Sequence, residues 1–258
     1  MINMSRRASI VKYYECLAKD YDHRFNNPRL DYMRSVEKRA LLDSLKPGII
    51  LDIGCGTGEQ ALFLAKKGYR VLGMDISKEM IKIAADRIKE AELEDNVSLI
   101  TASAEALPFR DKSFEGSISI FGVFSHVPGA SHAFQEMHRV LKNGSRAIIT
   151  VVNRWNLTWW IKTFFSGRMN WLIYALKSKE YIVDGLWTYY FSKSELKKML
   201  QEIGFKVRIG SILLLIYPHN RSRLLFCEEV FIRFEETIRW SRPFNSFGYY
   251  LLVSLEKR

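Results

Sequence analysis

An open α/β sheet, doubly wound and mostly parallel, is the fold predicted for these 258 residues. Three observations carry that prediction. Short apolar runs alternate with amphipathic stretches of helical spacing between Ile49 and Val152, a rhythm that calls for crossover helices and hence parallel strands. A glycine-rich turn follows the first apolar run directly and opens a helix, where sheets of this kind bind ligands. The composition, 48% hydrophobic and 26% charged, supplies a large core and excludes disordered, collagenous and fibrous classes.

The elements follow in order. Residues 8–22 have helical spacing with Tyr13, Tyr14 and Tyr21, and residues 31–45 repeat an amphipathic pattern up to Lys46-Pro47-Gly48. These two helices form an N-terminal cap over residues 1–46. The segment 47–152 then reads strand 49–53, helix 59–67, strand 70–75, helix 78–90, strands 97–101 and 114–120, helix 131–141 and strand 146–152. Gly68 stops one helix, Ser77 caps the next, and Asn143-Gly144 turns the chain before the strand at Arg146. The rhythm breaks over residues 153–190, which are rich in Trp, Tyr and Phe. Trp155, Trp159, Trp160 and Phe164 stand at helical spacing there, which predicts an inserted helical cover. Order resumes in 191–258, where Ser192 and Glu195 make a capping box for a helix ending at Gly204. A strand over 205–209, an amphipathic helix over 221–240 and an apolar strand over 248–255 complete the chain. No linker interrupts it, so residues 1–258 read as one domain.

Charge and cysteine content narrow the class. The formal net charge is +11. Residues 1–150 carry 22 Lys and Arg against 19 acids, and residues 151–258 carry 17 against 9, so the second part is the more basic. That bias suits nucleic acid, an anionic small molecule, an anionic membrane surface or a plain solvated face. The longest strongly apolar stretch, 212–217, is far too short to span a bilayer. The N-terminus lacks the apolar core of a secretory signal, so a cytoplasmic location is expected. Cys16, Cys55 and Cys227 are too few and too scattered for a disulfide framework or a zinc site, and no metal is expected.

The turn after the first strand reads Leu51 to Gln60, LDIGCGTGEQ. Gly54, Gly56 and Gly58 let the backbone turn tightly and a ligand approach it closely. A dinucleotide fingerprint counted from Gly54 would need glycine where Glu59 stands, and the Gly-Lys-Ser/Thr of a phosphate cradle is absent. The carboxylate of Asp52 would repel a pyrophosphate but complements an ammonium or sulfonium. Asp75 ends the second strand, where an acid can accept both hydroxyls of a ribose. A ribose with a cationic tail describes S-adenosylmethionine.

On these residues the chain resembles the class I S-adenosylmethionine-dependent methyltransferases, most of all the small-molecule branch with the ubiquinone and menaquinone biosynthesis enzymes. The resemblance is strongest over 8–152. It rests on D-x-G-x-G-x-G from Asp52, on Asp75, on ASAEALPF from Ala102, on FEGSISIFGVFSHV from Phe114, on EMHRVLKNG from Glu136 and on YFSKSELKKMLQEIGFKV from Tyr190. It implies a seven-stranded, Rossmann-like sheet and in-line transfer of a methyl group, with S-adenosylhomocysteine as product. It also implies that Asp52, Gly54, Cys55, Gly56 and Gly58 hold the methionine end, Asp75 and Ile76 the ribose, and Ser103, Ala104 and Glu105 the adenine edge, with Ile120 and Tyr21 completing the site. Cys55 is there as a small residue and is assigned no chemistry. Ser103 stands where the family usually has Asp, and a neutral hydrogen bond is roughly half as strong as a charge-assisted one, so weaker adenine binding is expected.

His126 falls where the family's loop faces the methyl group. It and Tyr21 are the catalytic candidates, set against a buried, hydrogen-bonded histidine and core tyrosines. His138 reads as structural. The cysteines lack the Pro-Cys setting of pyrimidine methyltransferases, and the loop after Ile120 lacks the Asn-Pro-Pro-Tyr type, so nucleic acid is not favoured and a small apolar or aromatic acceptor, such as a quinone precursor or another lipid, is expected. A tRNA or rRNA methyltransferase using the basic second part, and a non-catalytic S-adenosylmethionine-binding protein, are the alternative readings. The Trp-rich cover is open to three readings: a lid on an apolar pocket, a peripheral contact with a membrane surface, or core.

Overall fold

A computed structural model describes residues 2–214, 216 and 226–258. Leu215 and Tyr217 of the apolar run, and residues 221–225 of the expected amphipathic helix, lie outside the described residues. The cap comprises α1 (Ile2–Leu17), a 3-10 turn over Ala18–Asp20, α2 (Tyr21–Arg24) and α3 (Pro28–Ser44). The helix expected over 8–22 therefore starts earlier and is interrupted at Ala18. The start of α3 is locally encoded: Pro28 occupies the first helical position and the Asn27 side chain accepts from the amides of Arg29 and Leu30, both at 3.1 Å.

Through the core the chain runs β1 (Ile49–Ile53), α4 (Glu59–Ala65), β2 (Arg70–Asp75), α5 (Lys78–Glu90), β3 (Val97–Thr101), β4 (Phe114–Ser119), α6 (Ala130–Val140) and β5 (Leu141–Val152). The insertion follows as α7 (Leu157–Phe165), α8 (Met169–Lys177) and a hairpin of β6 (Glu180–Val183) and β7 (Leu186–Tyr189). The cover expected to be helical throughout 153–190 is thus helical only in its first part. Asp184 and Gly185, with φ of 50° and 83°, make the tight turn that a two-residue hairpin requires. The chain closes with α9 (Lys193–Ile203), β8 (Phe205–Ile212), α10 (Phe226–Ile238) and β9 (Tyr250–Lys257).

Among the described residues seven strands form one sheet in the order β3-β2-β1-β4-β5-β9-β8. The strands from β1 to β5 pair in parallel, and β9 runs antiparallel between β5 and β8. Strand β5 begins five residues before the expected Arg146. The Asn143-Gly144 turn is absorbed as a bulge, with Phe114 opposite Leu141 but Gly116 opposite Arg146. Both faces of the sheet are covered, so neighbours such as Ile50 and Leu51 are buried on opposite sides. Ile50, Leu64, Ile118 and Ile148 pack with Met33 and Leu41 of α3 in one layer. Leu51, Ile149 and Val253 pack with Phe134, Met137, Leu196 and Leu200 of α6 and α9 in the other. Ser192 caps α9 by accepting from the Glu195 amide, and Gly204 ends that helix at φ 114°. His138 packs edge-on against Phe205, a structural position.

The order reverses between β1 and β4, so the loops after their carboxyl ends frame a crevice. The cap lies across that crevice and the hairpin is fastened to the cap. Arg6 of α1 pairs with Glu180 at 2.8 Å and lies 5.1 Å over the Trp187 ring, while Ile10 packs with Leu186 and Trp187.

Candidate functional site

The crevice holds two adjoining cavities. The first encloses about 1160 Å³, its open mouth included, beneath the β1 loop. The second, about 1070 Å³, lies toward the hairpin. Tyr14, Tyr21, Phe121 and His126 line both, so the two cavities adjoin across these four side chains.

The first cavity brings together residues from four strand ends. Asp52, Gly54, Cys55 and Gly56 line it from the β1 loop, Asp75 and Ile76 from β2, Ser103, Ala104 and Glu105 from the β3 loop, and Ile120 from β4. Gly58 does not line it. A Cβ there would stand 3.0 Å from the Cβ of Ala84, and its φ of 83° serves the start of α4, so this glycine answers to helix packing. Gly54, at φ 76°, is hemmed in more tightly, since a Cβ would lie 2.5 Å from Val123 in the turn that carries His126. Gly54→Ala is expected to cost roughly 2–4 kcal/mol from the left-handed backbone and overpacking together, read by urea denaturation. A change under about 0.5 kcal/mol would contradict this packing.

The electrostatics of this cavity are those of a cation trap. Asp52 is buried and its Oδ2 has no hydrogen-bond partner among the described residues. Burial, with the Asp75 charge second, pushes its carboxyl up to about 8. Asp75 accepts from the Gly56 amide at 3.0 Å and the Ser77 amide at 2.9 Å, yet burial still raises its carboxyl. Two crowded acids, one of them with an unused oxygen, favour a ligand that brings positive charge and N–H donors. At Gly56 no atom lies within 4 Å of where a Cβ would stand, so the loop leaves space above its backbone. The donor set and the space both fit the methionine end and ribose of S-adenosylmethionine. Ser103 spends its hydroxyl oxygen on the Glu105 amide at 3.2 Å, which shapes the loop after β3.

Several residues that build this site were not marked in the sequence. Asp22 of α2 accepts from Thr57 Oγ1 at 2.9 Å and pairs with Arg87 of α5, so the cap is pinned onto the glycine loop. Arg139 donates to the carbonyls of Leu107 and Phe109 at 2.9 and 2.7 Å, and Glu136 accepts from the Leu107 amide, which fixes the β3 loop to α6. Glu37 of α3 is buried and accepts from Thr150, which in turn accepts from the Phe121 amide at 2.7 Å. That relay steadies Phe121 at φ 67°, a conformation unfavourable for its side chain. Burial pushes Glu37 up to about 8.

The second cavity is aromatic. Tyr13, Tyr190, Tyr249, Tyr250 and Phe25 line it together with the four residues shared with the first cavity. Arg24 and Asp184 are the charged lining groups among the described residues, and they pair with each other at 3.0 Å across the lip. His126 is held by the Trp187 carbonyl, 3.1 Å from Nδ1, which places the ring proton on Nδ1 and leaves Nε2 as an acceptor. Burial lowers its pKa to about 4, so the imidazole is neutral at neutral pH. Burial keeps the Tyr14 and Tyr21 phenols protonated well beyond the ordinary range. The Trp-rich helices α7 and α8 contribute no lining residue to either cavity, so the part of the insertion that closes the site is the hairpin.

Among the described residues no group of three or more His, Cys, Asp or Glu could hold a metal ion, and no helix is long and apolar enough to cross a membrane. Comparison with known proteins agrees with the geometry. Residues 50–144 match the family described as "Methyltransferase domain". An uncharacterized protein of Methanocaldococcus jannaschii is 36% identical over 210 residues, 78% of each chain. The demethylmenaquinone methyltransferase of Listeria welshimeri is 30% identical over 215 residues, covering 78% of this chain and 89% of that one. The crystal structure of an S-adenosylmethionine-dependent methyltransferase from Thermotoga maritima shares the fold, with a TM-score of 0.63 at 20% identity over 96% of this chain and 100% of that one.

Proposed function

The chain belongs to the class I S-adenosylmethionine-dependent methyltransferases, and from that premise we propose that it methylates a small, neutral, largely apolar or aromatic molecule. The observation that carries this reading is the aromatic chamber that adjoins the cofactor cavity and shares Tyr14, Tyr21, Phe121 and His126 with it. Its charged lining groups neutralise each other, so a charged acceptor would lose its hydration without gaining a partner. Stacked and edge-on rings favour a flat apolar guest. A ring of the quinone-precursor type has these properties, and the resemblance to a demethylmenaquinone methyltransferase favours it.

In this reading Asp52, Gly54, Cys55 and Gly56 hold the methionine end, Asp75 and Ile76 the ribose, and Ser103, Ala104 and Glu105 the adenine edge, with Ile120 and Tyr21 bounding the site. When bound, S-adenosylmethionine supplies a methyl group on a cationic sulfur that is already a good leaving group. The chain's task is then alignment and exclusion of water. Phe121 and Tyr21 stand between chamber and cofactor cavity, and the hairpin lines the outer side of the chamber. Tyr14 and Tyr21, which keep their protons, orient an acceptor by hydrogen bonds and do not act as bases. His126 presents Nε2 as a neutral acceptor for the proton of the acceptor's nucleophile. Its low basicity suits an acceptor that loses the proton as it loses electron density to the methyl group.

The test is to incubate the protein with methyl-labelled S-adenosylmethionine and a cell extract and to partition the label. Label in organic-soluble small molecules is the expected result, reduced in a Tyr190→Ala variant, whose side chain lines the chamber and not the cofactor cavity, so that cofactor binding is kept. Label recovered in RNA or protein would overturn the proposed acceptor class while leaving the methyltransferase assignment intact.

A further inference from the structure

Helices α7 and α8 carry an exposed apolar surface that the site does not use. Ile161, Phe164 and Phe165 stand at i, i+3 and i+4 on α7, and Met169, Ile173 and Leu176 at i, i+4 and i+7 on α8, so each trio shares a helical face. All six are exposed, Phe165 at 82% and Leu176 at 58%, and Trp171 beside them is 55% exposed. Soluble surfaces seldom leave so many large apolar side chains uncovered together.

The charges on the same segment are all of one sign. From Val151 to Lys179 the sequence contains no Asp or Glu, and Lys162, Arg168 and Lys177 are exposed among the apolar side chains. We propose that α7 and α8 form a docking surface for the headgroup region of an anionic lipid bilayer, with the phenylalanines and Trp171 seated at the acyl boundary and the three cations among the anionic headgroups. Aromatic and aliphatic side chains with interspersed Lys and Arg are what that interface accommodates. The charge pattern disfavours the other occupants. A two-fold pairing of this face with a second copy would set the cations against their own counterparts. A nucleic acid would meet the cations but leave the exposed apolar side chains without partners.

The surface is continuous with the site. Ring contacts run from Trp171 to Tyr174 at 6.5 Å, to Tyr181 at 5.3 Å and to Tyr190 at 4.9 Å, and Tyr190 lines the aromatic chamber. Ile182 and Val183 of the hairpin are exposed at the chamber's lip, Val183 being part of its lining. Docking through α7 and α8 therefore sets the chamber near the membrane surface. The inference stands independently of the acceptor's identity.

Vesicle flotation tests it without any methyl acceptor. The full chain is mixed with unilamellar vesicles of phosphatidylcholine containing about one third phosphatidylglycerol, or of phosphatidylcholine alone. Co-flotation with the anionic vesicles, weakened by salt, is expected. The double variant Phe164→Ser, Phe165→Ser should lower the partition coefficient about tenfold or more. Arg168→Glu with Lys177→Glu should abolish the preference for anionic vesicles. Melting temperature and cofactor affinity should be unchanged in both, which separates loss of docking from misfolding and from failure of the methyltransferase reading. Absence of flotation in the unmodified protein, flotation indifferent to these substitutions, or a concentration-dependent dimer that the same substitutions dissolve would overturn the proposal.

Discussion

Asp75→Ala is expected to weaken S-adenosylmethionine binding by about 100-fold or more, measured by titration calorimetry. The carboxylate at the end of β2 has two tasks that alanine cannot perform. Its Oδ2 accepts from the Gly56 amide and its Oδ1 from the Ser77 amide, which fixes the glycine loop against the start of α5. Asp75 also lines the cavity, where, in the proposed binding mode, a ribose would present two hydroxyl donors. Hydrogen bonds to a charged acceptor are worth roughly 1.5–3 kcal/mol each, so losing two on the ligand side alone accounts for the expected factor. Asp75→Asn is the informative companion. It keeps one carbonyl oxygen for one amide but turns an N–H toward the other, so its affinity should fall between those of wild type and alanine. If Asp75→Ala bound the cofactor within about threefold of wild type, the ribose would have to sit elsewhere.

The frame of this site was legible in the sequence because its determinants are local. Strands β1, β2 and β3 and helix α5 run between the residues expected of them, and β1, β2 and α5 are bounded by a glycine turn or a capping serine whose preference is set within a few residues. Asp52 and Asp75 could be placed in the same way, since a strand end and a glycine turn fix where such side chains emerge. The aromatic chamber could not. Its walls come from α1, α2, α3, the loop after β4, β5, the hairpin and β9, brought together only by tertiary packing, and no spacing rule links Tyr14 to Tyr250. The hairpin did carry a local signal, Asp184-Gly185 between two short runs rich in β-branched and aromatic residues. The surrounding tryptophans at helical spacing masked it. Gly58 is the opposite case, a motif residue read as part of the ligand contact whose reason is the approach of Ala84. Glu37 was unreadable for a different reason. A single acid on an amphipathic helix looks solvated, and only the fold places it beneath Thr150.

That buried acid and Asp52 together predict that the ligand-free protein loses stability as pH rises from about 6.5 to 8. Both carboxyls are raised to about 8 in the folded chain, whereas in the unfolded chain they titrate near 4. Between those values the folded state holds protons that the unfolded state has released, so stability is present at low pH and declines as pH climbs through the window. Asp75, also raised, acts in the same direction. His126 opposes them at lower pH. Its pKa is lowered to about 4 from the usual histidine range, so the unfolded chain holds the extra proton up to about 6.5 and stability rises with pH there. His138, also lowered, works alongside it. The uncompensated decline is therefore confined to pH 6.5–8. Each acid contributes at most about 1.4 kcal/mol per pH unit, which gives a combined loss of up to about 4 kcal/mol and a fall of several degrees in melting temperature. Glu37→Gln should remove close to half of the slope, since an amide keeps the bond from Thr150 without titrating. Saturating S-adenosylmethionine should remove the share of Asp52 by another route. A cation beside that carboxyl lowers its pKa, so binding near pH 7 should release a proton, and affinity should increase with pH up to about 8. Calorimetry in two buffers of different ionisation enthalpy measures that proton directly. A melting temperature that is flat or rising from pH 6.5 to 8, together with binding that releases no proton, would show that the two acids are charged in the ligand-free protein.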